Sequence, residues 1–306
     1  MGLHIGVDIG GTNLRVGVID GLAVIHETRV HADFSLICKS NPPRLAWQEI
    51  LRITCEALMP ALQAYPAAVS IGIGFPGFID PESGMIAQSP NLPGLRNVDL
   101  AGDLSPLIGR RVVIENDALA AAYGEYRLHP DSGRHLIYLG LGTGVGGGLI
   151  LNGKPHAGQH GVAMEVGHLV VEPDGRLCGC GNRGCMEQYA SASGVSITYH
   201  ERAGRQCDAD VIAGLAASGD EDAIFAYALA ANTLAQALAH ILKVVDVREV
   251  VIGGGMCKAW PLMEGAFNQR LQKDLIPVLR GRVRVAVSGT ADHAGIIGAA
   301  LLAAGH

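Results

Sequence analysis

Apolar and polar positions alternate with period two from the first residues of the chain. In LHIGVDIGG the residues Leu3, Ile5, Val7 and Ile9 share one face of an extended segment. TNLRVGVID and LAVIHETRV repeat the pattern with Gly or Asp at the turns, which predicts a meander of short strands. The period then lengthens. A helical stretch runs from about Arg44 to Gln63, followed by a strand in VSIGIG and a loop in FPGFID. VVIEN, residues 112 to 116, predicts a strand leading directly into the helix DALAAAYGEYRL. HLIYLGLGTGVGGGLILNGK then gives strand, Gly-rich turn and strand, the opening arrangement over again. DIGGT against LGTGVGG is slight self-similarity, so duplication enters as a hypothesis. Helices near 208 to 217 and 222 to 243, a strand in VREVVIGGG, a helix from Pro261 to Leu279, a strand in RVRVAVS and an Ala-rich terminal helix complete the pattern.

Composition narrows the class. With 306 residues, 49% of them hydrophobic and 17% charged, the chain can bury a large core, and its length suits two lobes. Net charge is −6 and the Lys and Arg residues are scattered, which leaves no footprint for nucleic acid or an anionic membrane. The longest apolar stretch, AIFAYALAANTLAQALAHIL, is broken by Asn232, Thr233, Gln236 and His240, so it reads as a buried amphipathic helix. The N-terminus lacks the positive region of a signal peptide, and Gly6 misses the myristoylation pattern. The expectation is a soluble, cytoplasmic protein. There are seven cysteines, an odd number, and that compartment disfavours disulfides, so a tight cysteine cluster points to metal or redox chemistry.

Three bends are rich in glycine: DIGGTN (Asp8 to Asn13), LGTGVGGG (Leu141 to Gly148) and VIGGGM (Val251 to Met256). Without Cβ atoms in the way, backbone N–H groups can approach a phosphate, and a Thr hydroxyl adds a donor. Any one bend alone is an ordinary hairpin. The middle one also satisfies G-x-G-x-x-G through Gly142, Gly144 and Gly147, but the dinucleotide fingerprint needs a helix immediately afterwards. GGLILNGK continues as a strand, so that reading fails on context, and no Walker loop is present.

CGCGNRGC, residues 178 to 185, has the spacing C-x-C-x4-C with His168 upstream in EVGHLVV. Three thiolates and an imidazole complete the tetrahedral set that structural zinc prefers. A thioredoxin-like pair would need C-x-x-C at a helix start, and the bland alternative is a group of reduced thiols. Closing the segment on metal could supply a large part of the ~10–16 kcal/mol apparent affinity of zinc-finger peptides. Cys38, Cys55, Cys207 and Cys257 have no such neighbours. Asn116 and Asp117 stand at a predicted strand-to-helix junction, where either could cap the helix and the Asp117 carboxylate could instead reach into a cleft as a base.

DIGGTN, FPGFID, ENDA, LGTGVGGG, EVGH, CGCGNRGCMEQYAS and VIGGG, in that order along nearly the whole chain, closely resemble the ROK family of sugar kinases and repressors. The resemblance implies an α/β, actin-like ATPase (ribonuclease H-like) fold of two lobes with a central cleft. The lobes would be a small N-terminal one, 1–117 plus 290–306, and a large C-terminal one, 118–289, with the zinc site. It implies ATP and Mg²⁺ binding through Asp8, Gly10, Gly11, Thr12 and Asn13, through Gly142, Thr143, Gly144 and Gly146, and through Gly254 and Gly255. Zinc ligands would be His168, Cys178, Cys180 and Cys185. Sugar contacts would be Gly77, Asn91, Asn116, Asp117, Glu165, His168 and Glu187, with Asp117 the catalytic base. The implied activity is phosphorylation of a hexose 6-hydroxyl, glucose first, with N-acetylmannosamine, N-acetylglucosamine, fructose and allose as alternatives, in a homodimer. A sugar-responsive repressor would carry a helix-turn-helix ahead of the first bend, and here Asp8 comes seven residues after the start. One departure from the family pattern is Met164, where a Gly is usual before Glu165.

Overall fold

The computed structural model describes residues 2–10, 12–129, 133–290 and 293–305. The opening meander forms as β1 (Leu3–Ile9), β2 (Asn13–Asp20) and β3 (Ala23–His31), paired antiparallel. Two helices follow, the short α1 (Phe34–Ser40), capped by the Asp33 carboxylate on the Leu36 N–H, and the long α2 (Pro43–Ala64). β4 (Ser70–Phe75) pairs parallel with β1. A small antiparallel sheet of β5 (Phe78–Ile79), β6 (Ile86–Gln88) and β7 (Arg96–Val98) precedes α3 (Leu100–Ile108). β8 (Val112–Asn116) then pairs parallel with β4, and α4 (Asp117–Leu128) starts at the next residue.

β9 (Leu136–Leu141), β10 (Val145–Leu151) and β11 (Lys154–Pro155) open a second series. It continues through α5 (Glu187–Ala190), α6 (Ala192–Ala203), α7 (Ala209–Ala217), α8 (Glu221–Val245), β12 (Glu249–Gly253), α9 (Trp260–Asp274), β13 (Arg284–Val287) and α10 (Ala294–Ala304). The strand orders are β3-β2-β1-β4-β8 and β11-β10-β9-β12-β13. Both put the first strand of the series in the middle with its two successors on one side, and both run parallel on the other side. The self-similarity that the sequence carries only faintly is therefore a repeated topology.

The chain divides into two compact units, one of 1–134, 148–163 and 290–306, the other of 135–147 and 164–289. α4 falls in the first unit, where a split after residue 117 assigns it to the second. The reason lies in its packing: a Cβ added to Gly124 of α4 would run into the Ala294 carbonyl of α10, and one on Gly298 of α10 into the Ala120 carbonyl. In the first unit Ile5, Val7 and Ile9 of β1 pack with Ile50 and Leu58 of α2 in one core. Gly6 and Gly72 leave room for α10, whose Ile296 and Ala299 carbonyls stand where Cβ atoms would be.

The helix expected from Pro261 to Leu279 ends at Asp274. Pro277 disfavours helical backbone in the residue before it, and Ile276 is extended, with φ −62° and ψ 148°. α8 is long and apolar enough by composition to cross a membrane, but Ala230, Ala231, Leu234, Ala235, Leu238 and Leu242 are buried among neighbouring elements, as its pattern implies.

Glu27 on β3 joins three elements of the first unit. It accepts from Arg15 Nε at 3.0 Å and Arg29 Nε at 2.8 Å, and its other oxygen lies 2.9 Å from His293 Nε2 at the start of α10. Burial pushes this carboxyl up, but the Arg29 and Arg15 guanidiniums override it and hold it at about 2. A depressed folded value means the stabilisation is complete above the unfolded carboxylate range, near pH ~4.3, and disappears as pH falls toward about 2. Glu27→Gln is therefore expected to lower the denaturation midpoint at neutral pH, with the gap to the parent closing on acidification through that window. A gap of constant size would contradict the ion-pair origin.

Candidate active site and metal centre

At the β8–α4 junction the two candidate residues divide the work. Asn116 is the N-cap: its Oδ1 accepts from the Leu119 N–H at 3.0 Å, and its Nδ2 donates to the Gly77 carbonyl at 3.1 Å. Asp117 is thus the first residue of α4, its Oδ1 accepting from the Ala118 N–H at 2.8 Å. Gly77 is held between Asn116 and the Gln88–Ser89 segment, whose Ser89 hydroxyl donates to the Pro76 carbonyl. Exposed Asn91 lies in the turn just beyond. Glu115, which stands in no motif that spacing could single out, precedes this pair; burial pushes its carboxyl up, and its Oε1 accepts from the Asn116 N–H at 2.8 Å.

The first Gly-rich bend closes through Gly10 N–H to the Asn13 carbonyl at 2.8 Å, and the Asn13 amide donates to the Thr12 hydroxyl at 3.1 Å. Gly11 lies outside the described residues. Asp8 sits near the end of β1, and a Cβ at Gly295 would come within 3.2 Å of its carboxyl carbon. The first turn of α10 therefore lies against this carboxylate.

The other two bends meet in the second unit. β9 and β12 are parallel neighbours with Gly140 opposite Gly253, and Gly254, at φ +88°, passes so close to Leu141 that any side chain would strike its carbonyl. Gly255 follows in a short 3-10 turn. The middle bend is tied by Gly142 N–H to the Gly144 carbonyl at 3.0 Å and by Ala192 N–H to the Gly142 carbonyl at 2.9 Å. Thr143 and Gly146 lie on the same turn and the strand leaving it.

Glu187 connects this bend to the cysteines. One carboxylate oxygen accepts from the Val145 N–H at 3.3 Å, and the other lies 3.8 Å from Cys178 Sγ. His168 Nδ1 is 3.6 Å from Cys178 Sγ, and Cys180 Sγ is 3.6 Å from Cys185 Sγ. All four candidate ligand atoms lie within 4.8 Å of one another. Sulfurs bound to tetrahedral zinc at ~2.3 Å would stand about 3.8 Å apart, so this donor set fits the ion. Burial pushes the Cys178 thiol up and the Cys185 thiol up to about 12, so without a cation these groups keep their protons.

The other nitrogen of His168 faces a different group, with Nε2 lying 3.8 Å from a Glu165 oxygen. Burial pushes the Glu165 carboxyl up, the His168 ring opposes this and Glu187 adds to it. Met164, just before it, has φ +68°, the left-handed backbone that a glycine adopts without strain. Glu165, His168 and Glu187 thus form one polar group beside the three cysteines, all within the second unit.

A family model described as the ROK family matches residues 4–306. A glucokinase of Thermotoga maritima is 33% identical over 313 residues, covering 97% of this chain and 95% of the relative. An N-acetyl-D-glucosamine kinase of Escherichia coli O9:H4 is 35% identical over 314 residues, covering 98% and 99%. Among solved structures, a ROK family glucokinase from Streptomyces griseus in complex with glucose and AMPPNP superposes with a TM-score of 0.86 at 32% identity, covering all of both chains.

A metal held by these four residues would anchor His168 and the loop through Cys185 together. A chelator is expected to raise amide hydrogen exchange across residues 168–187 while α8 and β12 keep their protection. Unchanged exchange in the loop would contradict a metal-held segment.

Proposed function

The chain belongs to the ROK family as an ATP-dependent sugar kinase, and from that premise we propose that it transfers the γ-phosphoryl group of ATP to the 6-hydroxyl of glucose. The observation that carries the catalytic assignment is the capping arrangement at β8–α4. Asn116 satisfies the first turn of the helix, so the carboxylate of Asp117 is not needed as its N-cap.

In this reading Asp117 accepts the hydroxyl proton as the O6–Pγ bond forms and the bond from Pγ to the bridging β,γ-oxygen breaks, leaving ADP and the sugar phosphate. Asn116, Gly77 and Asn91 help to hold the sugar. Glu165, His168 and Glu187 also serve its hydroxyls, the two carboxylates as acceptors and the Nε2–H of His168 as donor. The bend at 8–13 and the bend at 141–148 offer N–H groups and the Thr12 and Thr143 hydroxyls to the phosphates, and 251–256 flanks the nucleoside. Asp8 supplies a hard oxygen donor suited to Mg²⁺ or its water shell, and that ion neutralises phosphate charge when bound. Zinc is the metal assigned to His168, Cys178, Cys180 and Cys185, in a structural role.

A second reading, N-acetylglucosamine as the sugar, is supported by the 35% identity to a kinase of that name. The two sugars differ at C2, so the choice falls on groups near that position and not on Asp117. N-acetylmannosamine, fructose and allose come next.

Asp117→Asn keeps the hydrogen-bonding shape but loses the proton acceptor. Turnover is expected to fall by about 10²–10⁴-fold with sugar affinity nearly unchanged, read by ADP release and by calorimetry. Turnover near that of the parent would remove Asp117 from proton transfer. An ADP-release assay across glucose, mannose, fructose, allose and the two N-acetylhexosamines is expected to give the highest kcat/KM on glucose; a preference for N-acetylglucosamine would select the second reading.

A further inference from the structure

Arg176 lies in the segment between His168 and the first cysteine and belongs to neither the ligand set nor the sugar contacts. Yet both its backbone and its side chain are heavily engaged. Its backbone N–H donates to the Tyr189 hydroxyl at 2.9 Å, and its carbonyl accepts from the Gly184 N–H at 2.8 Å. Its guanidinium donates to the carbonyls of Gln188 at 2.6 Å and Gly194 at 3.3 Å, to the Thr198 hydroxyl at 3.0 Å, and to both oxygens of Glu201. The guanidinium carbon also stands 4.5 Å from the centre of the Tyr189 ring. The side chain is 15% exposed, so most of these bonds are shielded from water.

What these partners have in common is position. Gly184 immediately precedes the ligand Cys185, and Cys178 comes two residues after Arg176. Gln188 and Tyr189 lie in the single turn of α5 that begins with Glu187, while Gly194, Thr198 and Glu201 lie on α6. The loop has little regular structure, the isolated bridges Val170 to Cys185 and Leu177 to Arg183 joined by backbone bonds from the Val171 and Glu172 N–H groups to the Gly184 carbonyl and from the Cys178 N–H to the Asn182 carbonyl. At Gly184, φ is +76° and a Cβ would strike the Glu172 carbonyl, so the strand-like return of the loop is already tight there. A planar fork with five donors can satisfy several acceptors at once and stack on an aromatic ring, which an ammonium cannot reproduce.

We infer that Arg176 is a positioning residue for the metal centre: it clamps the loop carrying the three cysteines to α5 and α6, and so sets how tightly the ion is held. Groups that orient metal ligands from outside the coordination shell typically govern affinity by about 10–100-fold. The inference rests on the metal reading of the cluster. Glu201, half exposed, contributes little of it, since exposed ion pairs are worth little.

The test is zinc affinity by chelator competition on the full-length protein, with melting temperatures of loaded and stripped protein, for Arg176→Gln, Arg176→Lys and Glu201→Gln. Both Arg176 variants are expected to bind zinc about 10–100-fold more weakly. The difference in melting temperature between loaded and stripped forms should shrink with them, because the stabilisation a ligand gives grows with the logarithm of its affinity. Glu201→Gln is expected to stay within about twofold of the parent. A purely structural role for Arg176 would lower both melting temperatures equally and leave affinity unchanged, which would overturn the inference. If Arg176→Gln fails to fold, Arg176→Lys decides, since it keeps the charge and loses the fork. A parent that binds no zinc would overturn the metal reading and this inference together; a parent that binds it no more tightly than Arg176→Lys would overturn this inference alone.

Discussion

The imidazole of His168 has two nitrogens and two neighbours that need them. Nδ1 lies 3.6 Å from Cys178 Sγ in the metal cluster, and Nε2 lies 3.8 Å from the Glu165 carboxylate. A metal on Nδ1 requires its lone pair, which leaves the ring proton on Nε2, directed at the carboxylate side. The cluster would then fix a tautomer and an aim as well as a loop. Glu187 repeats the connection from the opposite end, with one oxygen toward Cys178 and the other on the Val145 N–H of the middle glycine bend. Cysteine loop, polar group and middle glycine bend are therefore coupled through two side chains.

The repeated topology explains why such coupling arises at these places. In each five-stranded sheet the first strand sits centrally and bends at its end on glycines, so the sharp turns occur beside the parallel neighbours. Gly254 against Leu141 and Gly6 against Ile296 show how little space the packing leaves for side chains. Glycine there serves close approach as much as any turn. Polar groups needing fixed directions then stand at strand ends whose backbone has little freedom to shift.

Much of this was legible in the sequence. The alternating pattern gave the meander, and VVIEN followed by DALAAAYGEYRL gave the boundary between β8 and α4 to the residue. C-x-C-x4-C with His168 upstream picked out the four atoms that the fold gathers within 4.8 Å. What was not legible depends on distance along the chain. The seven residues of α1 are too few for a periodic signal, and α6 starts in the small-residue run ASASG, where only the Ser191 cap on Gly194 marks its beginning. Spacing could not choose between Asn116 and Asp117 as the cap; the bond from the Leu119 N–H does. Arg176 gave no signal at all, because its partners Thr198 and Glu201 lie more than twenty residues away and are brought to it only by folding.

The most direct measurement is nitrogen-15 NMR of the His168 ring in the zinc-loaded protein, with and without saturating sugar. The expected result is zinc on Nδ1, the ring proton on Nε2, and a shift of that Nε2–H signal when sugar binds. Zinc on Nε2, or an Nε2–H signal that saturating sugar leaves unmoved, would contradict it.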